Sequence, residues 1–125
     1  MFQKIYLLAL AGACGTLARY GLTGVIHRWV GSAFPWGTAV VNVLGCLLFG
    51  IVWAAGGERA VITPEARLVI LTGFMGAFTT FSTFIAETSH LLTGTQLLMG
   101  FTNIALQLVT GISGFILGLG LGRII

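Results

Sequence analysis

The sequence predicts an all-α membrane protein with four transmembrane helices, the third of them interrupted. Two observations carry this. Of its 125 residues 57% are hydrophobic and only 7% are charged, and the polar stretches fall where they leave four long apolar segments. A soluble domain carries about 25% charged residues, so this chain has too few to cover a water-facing surface. Its mean hydropathy is +1.04. A span takes roughly 20 mostly apolar residues, and four spans with short loops account for residues 1–125 as one domain.

The first span is expected from about Gln3 to Ile26. Its opening, "MFQKIYLLALAGAC", has the basic start and small residues of a secretory signal. The apolar stretch resumes after "GTLARYG", however, so the segment is read as a retained helix. The loop "HRWVGSAFPW" follows, where Arg28, Trp29 and Trp36 suit a membrane interface. The second span is expected from about Gly37 to Ala55. In the polar stretch "GGERAVITPEAR", Pro64 fits the first position of a helix, with Glu65 complementing the helix dipole. The third span is expected from about Arg67 to Leu92, interrupted near Gly76 to Ser82. "TGTQ" reads as a tight turn, and the fourth span as about Leu97 to Ile124.

Net charge is +3. The basic residues are scattered at span ends, and a nucleic-acid interface would need them clustered. Four spans put both termini on one side with Lys4, Arg59, Arg67 and Arg123, against Arg28, with or without Arg19, opposite. That bias favours termini in the cytoplasm. Cys14 and Cys46 lie in apolar segments and are expected to pack as small apolar residues; their spacing indicates neither a metal site nor a disulfide. Small residues recur at helical spacing: Gly12 and Gly15, Gly45 and Cys46, then Gly111, Gly114, Gly118 and Gly122. Such stripes let helices approach closely in lipid. No duplicated half is visible, and four spans can hardly pack tightly and also enclose a polar pore, so an oligomer is expected.

Polar groups inside a membrane are expensive and tend to be functional. Arg19 reads either as a snorkelling arginine or as a buried cation that caps carbonyls or attracts an anion. Asn42, mid-span, either bonds another helix or contacts something polar that passes. Asn103, Gln107, Thr110 and Ser113 recur at steps of four, three and three, which puts them on one helical face. That stripe either glues helices together or, the preferred reading, lines a wet pathway of neutral donors. Glu87 is the only acid well inside a span, and His90 lies one turn further; the pair is either interfacial or a functional carboxylate with its partner.

The stretch "GFMGAFTTFSTF" is the last such feature. Gly73 and Gly76 weaken a helix, and Thr79, Thr80, Ser82 and Thr83 can rebond freed backbone groups. Non-helical backbone is tolerated at membrane depth where it is buried in protein or lines a cavity. Freed carbonyls can hold a hard cation; N–H groups and hydroxyls can hold an anion. Phe81 and Phe84 share a face if helix resumes there, and a phenyl ring has an electropositive edge. A simple kinked helix is the alternative.

"GACGTLARY", "GTAVVNVLG" and "GFMGAFTTFSTF" with Glu87 behind it resemble the Fluc (CrcB) family of fluoride channels, over essentially the whole chain. The resemblance implies an antiparallel, dual-topology homodimer in the bacterial inner membrane that exports fluoride passively, through two pores lined by both subunits. It implies a structural Na⁺ at the dimer centre, held by backbone carbonyls that match Gly76 and Thr79. It places fluoride-facing rings at Phe81 and Phe84, the pore amide at Asn42, and hydroxyl neighbours at Ser82 and Thr83. Arg19 matches the arginine ending the first motif and, like Glu87, is taken as an access or vestibule residue. Gly111 stands where a small hydroxyl would be expected, so Asn103, Gln107, Thr110 and Ser113 rest on spacing. The implied partners are fluoride, a second copy and the bilayer, with no nucleic acid.

The main rival is a small four-span proton-coupled multidrug exporter. That class places a carboxylate deep in its first span, where this chain has none, and only Glu87 is available to serve. A structural subunit without transport is the other rival, and the polar stripe and interrupted helix argue against it. No paired carboxylates, Ser/His/Asp set or phosphate loop is visible, so no enzyme is expected.

Overall fold

The computed structural model describes residues 2–57 and 61–125; Arg59, counted above among the basic residues, lies outside the described residues. All described regular structure is helical, and four stretches are long and apolar enough to cross a membrane: Phe2–Val30, Trp36–Gly57, Pro64–Thr93 and Leu97–Ile124.

The first helix, α1, covers Phe2–Val30. It runs a turn beyond the expected Ile26, because His27 and Arg28 favour the negative end of the helix dipole and continue it. Gly31 stops it, with φ of 82° and its N–H donating to the His27 carbonyl at 3.0 Å, a left-handed C-terminal stop. The loop is thus shorter than "HRWVGSAFPW" suggested. The second helix, α2, covers Trp36–Gly57, and the Pro35 carbonyl accepts its first bond from Ala39 N–H at 3.1 Å.

The third span is composite. A short helix, α3, covers Pro64–Leu68, with Thr63 Oγ1 capping the Ala66 N–H at 3.3 Å, as the position of Pro64 led one to expect. A π-helix follows over Val69–Met75, and one turn of α-helix, α4, over Gly76–Phe78. Helix α5 then covers Phe81–Thr93. The sequence held no clear sign of the π-helix, and it moves the loosened geometry upstream of Gly76. Gly76 itself is helical, at φ −61° and ψ −31°. The extended residues are Thr79 and Thr80, so the interruption expected near Gly76 to Ser82 contracts to that pair. Helix α6 covers Leu97–Ile124.

Glycines set the tightest contacts. A Cβ at Gly118 would strike the Leu47 carbonyl, and one at Gly122 the Ile51 carbonyl. Residues 47 and 51 of α2 thus meet 118 and 122 of α6 in the same order, so the two helices run parallel with backbones in contact. Gly15 meets the Phe74 carbonyl in the same way, which seats α1 on the π-helix. Val41, Leu71, Met75 and Phe78 form the apolar core, with Leu44, Phe49 and Phe74 packed around them. Cys46 is half-buried but Cys14 is exposed, so only Cys46 fits the packing expected of both. Arg67 lies across the end of α2, its guanidinium 4.2 Å from the Trp53 ring centre; α1 buries only Gly15.

Candidate functional site

Thr79 and Thr80 turn the chain out of helix and back within two residues, and their polar groups find new partners. Thr79 keeps the Met75 carbonyl, through both its N–H and its hydroxyl, each at 3.0 Å. Helical geometry would pair Thr80 N–H with the Gly76 carbonyl; it donates instead to Asn42 Oδ1 at 2.8 Å. Asn42 Nδ2 returns a bond to the Thr80 carbonyl at 3.1 Å. One side chain on α2 therefore replaces two backbone partners. Thr80 Oγ1 caps α5 by accepting from Thr83 N–H at 3.3 Å, and it lies 2.8 Å from the Thr83 hydroxyl and 3.5 Å from that of Ser82.

Beside this pair lies a groove of about 270 Å³, lined by Asn42, Thr79, Thr80, Phe81, Phe84 and Gln107 among others. The two rings are tilted at 45° with centres 5.8 Å apart. Phe84 is 7% exposed and Phe81 73%, so one ring forms the floor and the other an open wall. From Asn42 the polar chain continues inward: Asn42 Nδ2 donates to Gln107 Oε1 at 2.8 Å, Gln107 Nε2 to Asn103 Oδ1 at 2.9 Å, and Asn103 Nδ2 to Thr88 Oγ1 at 2.8 Å. Such a neutral amide and aromatic wall can meet a small anion without a fixed countercharge.

Residues 6–119 match the sequence profile of the family described as CrcB-like protein, Camphor Resistance (CrcB). The chain belongs to that family. Relatives of this CrcB-like chain include a protein of Solidesulfovibrio magneticus named fluoride-specific ion channel FluC, 55% identical over 125 residues and covering the whole of both chains. Proteins of the same name from Nitrosococcus oceani, 50% identical over the full length of both, and Nitratidesulfovibrio vulgaris (strain Miyazaki F), 52% identical over 98% of this chain and 99% of the relative, are similar. With its four apolar helices, this CrcB-like chain is a multi-pass membrane protein.

The structure divides the residues singled out above. It gathers Asn42, Thr79, Phe81, Phe84 and Gln107 in one groove, with Ser82 and Thr83 on its capping turn and Asn103 behind Gln107. It sends Thr110 and Ser113 to a different groove of about 530 Å³, beside Trp36 and Val40. At about 100° per residue, the buried arc of α6 passes through Asn103, Gln107, Gly111 and Gly114, and Ser113 falls off its edge. Thr110 lies at that edge and bonds back to the Leu106 carbonyl. Four residues at helical spacing are thus split between two surfaces. Glu87 and His90 line a third cavity, of about 360 Å³, together with His27. Glu87 Oε1 accepts from the Thr38 hydroxyl at 2.8 Å, while its Oε2 is buried without a partner. Arg19 is half-buried on α1 and is not a lining residue of the groove. Gly76 is exposed and Thr79 half-buried. Sequence reasoning passed over two contributors: Thr88, buried at the end of the polar chain, and Thr80 as a helix cap. The run Thr80-Phe81-Ser82-Thr83 held the signal for the second, since a Ser or Thr followed three residues on by a side chain that can bond back marks a helix start.

Proposed function

We propose that the protein is a fluoride-selective channel that lets F⁻ leave the cytoplasm passively. The observation that carries this is the meeting of the Phe81 and Phe84 rings with the amide-rich wall in one groove. Fluoride is small and strongly hydrated, and a pore must replace its water with many donors that bind weakly enough to release it. Aromatic rings, the groove-lining carboxamides and the amino end of α5, which is electropositive, would supply that without a fixed cation. The names borne by the relatives support the same reading.

The assembly follows from the same reading. Phe81 is open on one side and α1 buries almost nothing, so one copy is an incomplete pore. We read the protein as an antiparallel, dual-topology homodimer in the bacterial inner membrane, with two pores lined by both copies and a third helix broken at membrane depth. A structural Na⁺ at the dimer centre fits the donors. The Gly76 carbonyl has lost the Thr80 N–H to Asn42, and hard cations take oxygen ligands. The Gly76 and Thr79 carbonyls of each copy would hold it, and it would supply positive charge between the two pores. Glu87, with His90 and Arg19, stays outside the groove in an access role. We read the protein as a channel rather than an enzyme, as the names of its relatives suggest.

Purified protein in liposomes loaded with fluoride should release it down its gradient, read with a fluoride electrode, while chloride stays behind. Equal movement of both ions, or of neither, would sink the channel reading. Proton-driven efflux of a cationic dye, lost in Glu87→Gln, would favour the exporter.

A further inference from the structure

One end of the bundle carries Lys4, Arg67 and Arg123. Lys4 meets Glu65 at 3.5 Å, and Gly122, next to Arg123, packs on Ile51 and Ala54 near the end of α2. Arg67 lies against that same end and is held there. Its guanidinium carbon is 4.2 Å from the centre of the Trp53 ring. A Cβ at Gly56 would stand 2.9 Å from Arg67 Cδ, and one at Gly57 3.4 Å from both Nη atoms. Two glycines thus leave room for the side chain, and the negative end of α2 favours its charge. No described residue is hydrogen-bonded or ion-paired to it. Its Nε is buried without a partner, so the Nη pair holds the donors that a ligand can reach. Beside Arg67 lies a groove of about 420 Å³, lined by Phe49, Trp53, Leu68, Leu71 and Thr72. It shares Phe49 with the groove that holds Phe81 and Phe84, and Arg67 lines no part of the latter.

We propose that Arg67 and this groove bind an anionic phospholipid, the Nη pair taking the headgroup phosphate and an acyl chain lying along Phe49, Leu68 and Leu71. An arginine near a membrane surface ordinarily snorkels, with its head in water. Arg67 is instead seated on Trp53 and two glycines, at the end of a span where headgroups lie and tryptophans gather. A guanidinium matches phosphate with two parallel N–H donors. Charge points the same way, since Lys4 has Glu65 and Arg67 has no carboxylate. Apart from Arg67 and Thr72 the lining is apolar or aromatic, which suits a hydrocarbon chain and not a hydrated free anion. The bound lipid completes the hydrogen bonding of Arg67 and holds the start of the third span at headgroup depth.

Native mass spectrometry of the whole protein, titrated in detergent with dioleoylphosphatidylglycerol or dioleoylphosphatidylcholine, tests this. The anionic lipid should bind more tightly than the zwitterionic one. Arg67→Gln should weaken its binding about tenfold, the size of a lost charge-assisted hydrogen bond, and abolish the preference. Lys4→Gln removes the same charge at the same end from an exposed ion pair, and should change binding by about twofold or less. Thr72→Trp fills the groove from an exposed position and leaves the guanidinium in place. It should also weaken lipid binding, and it keeps the test open if Arg67→Gln does not fold. Equal binding of the two lipids, equal losses in Arg67→Gln and Lys4→Gln, or unchanged binding in Thr72→Trp overturns the proposal. Displacement of the lipid by inorganic phosphate or fluoride overturns it in favour of a free anion. A wild type without bound lipid, whose dimer is lost in Arg67→Gln, assigns the face to a second copy instead.

Discussion

Phe84 is packed and Phe81 open, although both belong to the same turn of α5, and this difference divides their work. Phe84 forms a packed floor of the groove. Phe81 is left open by its own chain, and in the proposed dimer a second copy would enclose it. Phe84→Ile should cut fluoride flux roughly tenfold or more, the size expected when a desolvated ion loses a partner worth about 1–3 kcal/mol. Unchanged flux from a folded dimer would remove that ring from the pore. The sequence marked both phenylalanines by spacing, but the difference in burial depends on what α2 and α6 bring against them. The same holds for Asn42, where one mid-span amide was compatible with a helix contact or with a passing ion. Its three bonds to Thr80 and Gln107 make it a helix contact, and it also lines the groove.

Among the elements, the composite third span determines where polar backbone is released. Thr80 ends one piece and starts the next, its hydroxyl capping Thr83. Thr80→Ala should lower stability by about 1 kcal/mol, read as an earlier thermal midpoint in detergent, with Thr80→Ser close to wild type. An unshifted midpoint in the alanine variant would mean that the cap contributes nothing. The α2–α6 contact is held by absent side chains. Gly118→Val should force the Leu47 carbonyl away and cost about 1–3 kcal/mol through overpacking, while Gly120→Ala, with open space around it, should cost far less. Equal midpoints for the two would contradict the close backbone approach. The glycine stripe was legible because its period matches a helix. The π-helix was not, since Val69–Met75 reads as an ordinary apolar run and its geometry comes from packing α1 against Gly73 and Phe74.

For the whole molecule, the open wall of the groove and the bare α1 argue that the working unit is larger than one chain. If a shared Na⁺ joins two copies, replacing sodium with choline in the buffer should lower the dimer's unfolding temperature, because a ligand bound only to the folded state stabilises it by mass action. Identical melting in both buffers would remove the ion from the assembly. Cross-linking at the Phe81 face should trap two copies, and a chain that remains monomeric in lipid would leave the pore open-sided and refute the dimer.

Four membrane helices, their order and the turn-bearing third span were determined by the sequence itself. Apolar length, charge scarcity and helical spacing are local properties that survive without knowledge of neighbours. Only the tertiary structure decided that Gln107 bonds Asn42 with Asn103 behind it, while Thr110 and Ser113 line another groove. Residues on one helical face part company when the neighbouring helix covers a narrower arc than the stripe. It also decided which amide hydrogens of Asn42, Gln107 and Asn103 are taken. That depends on a single backbone N–H, at Thr80, whose direction exists only once the chain has folded around it.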